Sequence, residues 1–124
     1  MGIDKISAVG RRPWIGGSKL YHYNARIYNV VDGDTVDCEI DTGFNGFRKE
    51  RLRLIDIDTP ERGHPGFKEA LEYLEREYLE IPILINTVKK DSFGRWLAQL
   101  WTADGIVDIN QTMIFLGFAK VYDR

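Results

Sequence analysis

Apolar and polar positions mark residues 24–31, 35–41 and 48–57 as strands, with alternation over 35–41 and Leu52 and Leu54 on one face of the last, because a period of two places one set of side chains on one face. Turn residues bound each run: Asp32-Gly33-Asp34 between the first two, and Thr42-Gly43-Phe44-Asn45-Gly46 between the second and third. The period changes over residues 66–80, where Phe67, Ala70, Leu71, Leu74 and Tyr78 recur at helical spacing just after Pro65. A short, almost continuous apolar run at 81–88, with Pro82 near its start, reads as a fourth strand, and 95–102 as a fifth. After the Ala103-Asp104-Gly105 turn, Asp108 is placed to cap a second helix that Gly117 ends. The pattern predicts three strands, a helix, two strands and a helix, without internal repeat.

Residues 1–20 are rich in glycine and turn formers and are expected to form an irregular arm, leaving 21–124 as one domain. A length of 124 residues suits a single core. No apolar run approaches the roughly 18 residues of a membrane span, and residues 1–17 contain no apolar stretch of the kind a secretory leader carries. A cytoplasmic protein without membrane contact is the resulting expectation. The single cysteine, Cys38, lies in an alternating run and is expected to be a small buried hydrophobe.

A net charge of −2 argues at first against a nucleic-acid partner, because phosphate affinity comes largely from Lys and Arg. The distribution weakens that objection. Residues 66–80 carry five Glu against Lys68 and Arg76, so the rest of the chain is at about +1.

Three clusters carry candidate chemistry. Asp32-Gly33-Asp34-Thr35 has a plain reading as a hairpin turn. Arg53 with Asp58-Thr59-Pro60-Glu61 has one as a strand leading into a capped turn, Thr59 being the cap and Pro60 the first position. That leaves Arg53, Asp56 and Asp58 unexplained in an otherwise aliphatic run, where charges must be paired, solvated or metal-bound. Arg53 and Asp58 are five apart and would face opposite sides of a regular strand, so the strand must bend or end before Asp58 if both serve one site. The third cluster, Lys89-Lys90-Asp91-Ser92-Phe93-Gly94-Arg95-Trp96, reads plainly as a basic turn. Together the clusters offer hard carboxylate oxygens for a cation and two guanidinium groups that can take a phosphate bidentately.

Val30-Val31-Asp32-Gly33-Asp34-Thr35-Val36, Arg53-Leu54-Ile55-Asp56-Ile57-Asp58-Thr59-Pro60-Glu61, Asp91-Ser92-Phe93-Gly94-Arg95, and Asn110 with Gly117-Phe118-Ala119-Lys120-Val121 resemble the staphylococcal nuclease family in order and approximate spacing. The resemblance covers roughly residues 24–122. It implies a five-stranded OB-fold barrel with two packed helices, an α+β fold dominated by β. It further implies a calcium-dependent nuclease acting on DNA or RNA and breaking the P–O5′ bond to leave 3′-phosphate ends. The metal ligands would be the Asp34 and Asp58 carboxylates and the Thr59 carbonyl, the substrate-binding and catalytic arginines Arg53 and Arg95, and the water-activating acid Glu61.

Some positions depart from the family. Ser92-Phe93 replaces a Lys-Tyr pair of the secreted member, removing a phosphate-contacting hydroxyl and a positive charge. Residues 62–68 are shorter than that enzyme's mobile loop. With the chain ending at Arg124, a third helix and base-stacking tyrosines are missing, so the arm with Trp14, Tyr21 and Tyr23, or a second subunit in a homodimer, is expected to cover the exposed flank. With no leader-like stretch in residues 1–17, an intracellular or phage-type role in nucleic-acid processing is the expectation. Two other readings stand beside the nuclease: a non-catalytic OB barrel that binds nucleic acid or protein, and a structural or assembly component. Retention of Asp34, Arg53, Asp58, Glu61 and Arg95 together favours the enzyme.

Overall fold

The structure is a computed structural model and describes residues 21–122. The expected arm, with Trp14, lies outside the described residues. In chain order the elements are β1 (Tyr21–Asp32), β2 (Thr35–Gly43), β3 (Gly46–Leu54), β4 (Ile57–Asp58), α1 (Phe67–Tyr78), β5 (Pro82–Lys90), β6 (Trp96–Thr102), α2 (Ile109–Phe115) and β7 (Lys120–Val121). Strands β1, β2, β3, β6 and β5 close a barrel in that order. All neighbours are antiparallel except β3 and β6, which run parallel. This mixed five-stranded barrel with two helices is the OB-type architecture expected, and closure removes the unpaired edges an open sheet would expose.

The inward positions of the alternating runs meet in the barrel. Ile27, Val36, Leu52, Leu54, Ile85 and Leu100 are fully buried there, joined by Ala70 and Leu74 from α1 and Ile109 and Met113 from α2. Each large aliphatic side chain so buried contributes about 1.5–3 kcal/mol. Cys38 is in the same core, and burial with the neighbouring Asp37 charge pushes its thiol up to about 12.

Two features differ from the sequence reading. The third strand ends at Leu54, short of the expected 57, because Asp56 adopts φ 67° and turns the chain. Aspartate tolerates this left-handed conformation better than most residues. Ile57 and Asp58 then pair antiparallel with Val121 and Lys120 in a separate two-stranded sheet. The alternation slips here, since Leu54 and Ile55 are both apolar and the apolar positions pass from 52 and 54 to 55 and 57, but the slip alone does not give the direction of the turn. Thr59 caps no turn, since its hydroxyl is buried without a hydrogen-bond partner, and α1 starts at Phe67 behind Gly66 at φ 94°, without a side-chain cap. At α2 the expected caps are present: Asp108 accepts from the Gln111 N–H at 3.0 Å, and Gly117 follows at φ 86°.

Phe115, Leu116 and Val121 are exposed near the C-terminal end of the described chain, the flank expected to need cover. Tyr23 does not lie over it. It belongs to β1 and lines a different cleft with Ile40 and Trp96. No helix of the described residues is long and apolar enough to cross a membrane.

Candidate active site

The reversal at Asp56 brings Arg53 and Asp58 to the same side. Arg53 leaves the outer face of β3 and is 7% exposed. Its Nη1 donates to the Leu54 carbonyl at 2.6 Å, while Nη2 lies 3.4 Å from Asp34 Oδ2 and 3.3 Å from Asp58 Oδ1. Asp34 arrives from the β1–β2 turn, which registers directly against β3 through Thr35 and Arg53. Its Oδ2 also accepts from the Thr59 backbone N–H at 2.9 Å, and its Oδ1 from the Thr35 hydroxyl at 3.1 Å. Residues 25 positions apart are thereby locked through one carboxylate.

Gly33 explains how the turn fits. A Cβ there would stand 2.6 Å from the Ala70 Cβ and 2.9 Å from the Thr59 Cγ2, so glycine is required by close approach of α1 and the Thr59 segment. Burial, then hydrogen bonding and repulsion from Asp34, push the Asp32 carboxyl up to about 6. Burial acts on Asp34 in the same direction, but the hydrogen bonds from Asp32 and the Thr59 N–H, with the Arg53 charge, outweigh it and hold Asp34 below its ordinary value. Two acids at one site thus split, one toward the neutral and one toward the charged form.

A cleft of about 510 Å³ opens beside Asp58 and Thr59 and is also lined by Glu61, His64 and Lys120. Glu61 is exposed and, among the described residues, its side chain has no hydrogen-bond or ion-pair partner. Its backbone carbonyl accepts from the His64 N–H at 3.0 Å, fixing the short turn that aims it. Asn110 is buried and holds the other side: Oδ1 accepts from the Leu100 N–H, and Nδ2 donates to the carbonyls of Ile55 and Ala98. It is a positioning residue that ties α2 and β6 to the turn before Asp58. The Tyr122 ring lies 5.8 Å from the Arg53 guanidinium, and the Tyr122 N–H donates to the Asp56 carbonyl at 3.0 Å.

Arg95 is placed differently from Arg53. Its Nε donates to Asp91 Oδ2 at 2.8 Å and Nη2 lies 2.7 Å from the same oxygen, while Asp91 Oδ1 accepts from the backbone N–H groups of Phe93 and Arg95. The Arg95 side chain opens into a depression shared with Arg51 and Phe93, and no direct contact joins it to Asp34 or Asp58 among the described residues. His64, Lys120 and Tyr122 were not singled out from the sequence as members of the site. Lys120 belongs to the Gly117-Phe118-Ala119-Lys120-Val121 segment, and the β4–β7 pairing places it opposite Asp58.

Among the described residues no three imidazole, thiolate or carboxylate groups form a ready-made metal cage. The donors that do converge are hard oxygens: Asp34 and Asp58, both reaching Arg53, and the Thr59 segment between them and the cleft. The Thr59 hydroxyl is buried without a hydrogen-bond partner, a polar atom left unsatisfied in this arrangement. Crowded carboxylates with an orphaned oxygen suit a hard divalent cation completed by water and substrate oxygens.

Comparison with known proteins decides the family. The sequence model described as "Staphylococcal nuclease homologue" matches residues 51–124, well over half of the chain. The chain belongs to the staphylococcal nuclease family. The matched region includes Arg53, Asp58, Thr59, Glu61 and Arg95, while Asp34 precedes it. An uncharacterized protein of Methanocaldococcus jannaschii is 29% identical over 82% of this chain and 60% of its own length. The thermonuclease of Staphylococcus intermedius is 29% identical over 77% of this chain and 59% of its own length. The endonuclease YhcR of Bacillus subtilis is 27% identical over 81% of this chain, which corresponds to 9% of that protein. The chain therefore spans about three-fifths of the first two relatives.

Proposed function

We propose that this protein is a calcium-dependent phosphodiesterase that hydrolyses DNA or RNA. The observation that carries this reading is the Asp34–Arg53–Asp58 cluster, a nearly buried arginine held between two carboxylates beside a cleft that bears an unpartnered glutamate. Membership of a family with relatives named thermonuclease and endonuclease supports it.

In this reading Asp34, Asp58 and the Thr59 carbonyl would hold the calcium ion. When bound, it supplies Lewis-acid polarisation of a phosphate oxygen and a site for water. Arg53 is fixed by Leu54 through Nη1 and held by Asp34 and Asp58 through Nη2, and in this reading the guanidinium turns its charge to an equatorial phosphate oxygen when the two carboxylates are engaged by the cation. Arg95, with its Nε edge fixed by Asp91, presents its other edge to the same charge. Glu61 takes a proton from the attacking water as the water oxygen bonds to phosphorus. The P–O5′ bond breaks, the departing oxygen is protonated from solvent, and a 3′-phosphate end remains.

The deciding experiment is digestion of single-stranded DNA, duplex DNA and RNA with calcium and then with excess chelator. Cleavage is expected with calcium and none with chelator. Undiminished cleavage in chelator overturns the metal assignment, and oligonucleotides bound but left intact in calcium support the binding-module reading instead.

A further inference from the structure

Outside the Asp34–Arg53–Asp58 corner, a second pair of guanidinium groups shares one surface. Arg51 and Arg95, with the Phe93 ring, line a shallow depression of about 410 Å³. Arg51 is two residues from Arg53 in a stretch of β3 that pairs without irregularity, so both leave the same outer face. Parallel pairing of Leu52 with Trp96 places Arg51 and Arg95 as lateral neighbours at the mouth of the β3–β6 ladder.

Each arginine is oriented by its own aspartate. Arg51 donates through Nε to Asp37 Oδ1 at 2.7 Å and through Nη2 to Oδ2 at 3.1 Å, and Asn29 Nδ2 braces the same carboxylate at 3.0 Å. Arg95 uses the corresponding edge on Asp91. Among the described residues nothing pairs with Nη1 of either guanidinium. The acids are also the buried members of the pairs: the Asp37 and Asp91 side chains are 11% and 9% exposed, against 53% and 27% for Arg51 and Arg95. Although each pair is neutral in sum, its positive end faces solvent and its negative end faces the protein. With Arg95 assigned to the scissile phosphate, the guanidinium edge left for a further anion at this depression is that of Arg51. Phe93 is almost fully exposed beside them, with the Arg95 guanidinium 5.3 Å from its ring, and so offers a stacking face at the same place.

We propose that Arg51 and Phe93, beside Arg95, form a subsite for the nucleotide adjoining the scissile one in single-stranded nucleic acid, Arg51 taking its phosphate and Phe93 stacking on its base. The assignment rests on the nuclease reading above. Two residues along a strand advance about 6.6–6.8 Å, a step comparable to one nucleotide of an extended single strand, so Arg53 and Arg51 are spaced to hold successive phosphates. Stacking on an exposed aromatic ring is tolerant of sequence, and the arginine forks recognise phosphate and not the base. The subsite therefore selects length and single-strandedness while leaving sequence unread.

The test compares Arg51→Ala and Arg51→Lys with wild type on two substrates: an oligothymidylate and a thymidine nitrophenyl phosphodiester that has one phosphodiester and no adjoining nucleotide. Oligothymidylate binding is measured in chelator across a salt series, so that no cleavage intervenes. Arg51→Ala is expected to bind several-fold more weakly with a salt slope reduced by about 0.7, the value of one lost single-strand phosphate contact. Arg51→Lys, which keeps the charge, should retain the slope. With calcium, Arg51→Ala should raise KM for the oligonucleotide at unchanged kcat and leave hydrolysis of the nitrophenyl ester as in wild type. An unchanged salt slope, or equal losses on both substrates, overturns the subsite. Thermal unfolding of Arg51→Lys checks that the Asp37 pairing is not the whole effect: a slope lost in a folded lysine variant also overturns it. Failure of the wild type to cleave either substrate refutes the nuclease reading by itself, while the salt series still judges the subsite.

Discussion

Arg53 and Arg95 have the same side chain and are proposed to act on the same charge, yet the protein holds them in opposite ways. Arg53 is buried, shared between two carboxylates from different segments, and bonded to a backbone carbonyl. Arg95 is partly exposed and held by a single aspartate four residues earlier in the same loop. The first is therefore a structural crosslink in addition to its proposed role toward phosphate, and the second is a local device that can change without disturbing the barrel. Removing one partner of a buried ion pair leaves an uncompensated charge and costs several kcal/mol, whereas an exposed local pair contributes little to stability.

The sharpest break of this comparison is Arg53→Ala beside Arg95→Ala. Both should lower turnover by on the order of 10² or more, as lost transition-state donors do. Only Arg53→Ala should also destabilise the fold, by roughly 3–5 kcal/mol, because Asp34 loses its buried partner. Thermal unfolding alongside single-turnover cleavage separates the two, and equal stability loss at both positions would refute the contrast.

Glu61→Gln is expected to reduce cleavage by roughly 10² or more, since amide replaces base at similar shape. Because Glu61 is exposed and unpartnered among the described residues, unfolding should stay within about 0.5 kcal/mol of wild type. A fully active Glu61→Gln protein would remove the catalytic role assigned to it.

Gly33→Ala tests the buried corner without touching a charged group. Its methyl group would meet Ala70 and Thr59 inside contact distance, so a loss of about 1–3 kcal/mol in stability is expected from overpacking. The same substitution relieved by small shifts, with unchanged melting, would show that α1 is not pressed onto the turn.

The smallest effect belongs to the open side. Arg51, first, and then Asn29 and the Arg51 charge hold the Asp37 carboxyl below its ordinary value, against the opposing effect of burial. A depressed native pKa contributes stability above the unfolded value of about 3.9 that is lost as pH falls through the native one. The difference in unfolding free energy between wild type and Asp37→Asn should therefore be present at pH 7, about 0.2–1 kcal/mol for a pair with one exposed partner, and should vanish in acid. A difference that persists at low pH would assign the stabilisation to packing and not to ionisation.

The strands, the two helices, the caps at Asp108 and Gly117 and the residues of the three motifs were legible in the sequence because each depends on local period or turn chemistry. The resemblance added the barrel and named the site residues. Tertiary structure decided what lies between those levels. The end of β3 at Leu54 coincides with a slip in the alternation at Leu54-Ile55, but the left-handed turn at Asp56 and the pairing of Ile57 and Asp58 with β7 come from the tertiary structure. Glycine at position 33 looked like a turn requirement, but the contact that demands it comes from residues 26 and 37 positions away. The same long-range packing sets Arg53 between Asp34 and Asp58, and leaves Arg95 with Arg51 on open surface. Sequence supplied the charges, while burial, which depends on every element that closes over a residue, determined which of them became a crosslink and which remained available to a ligand.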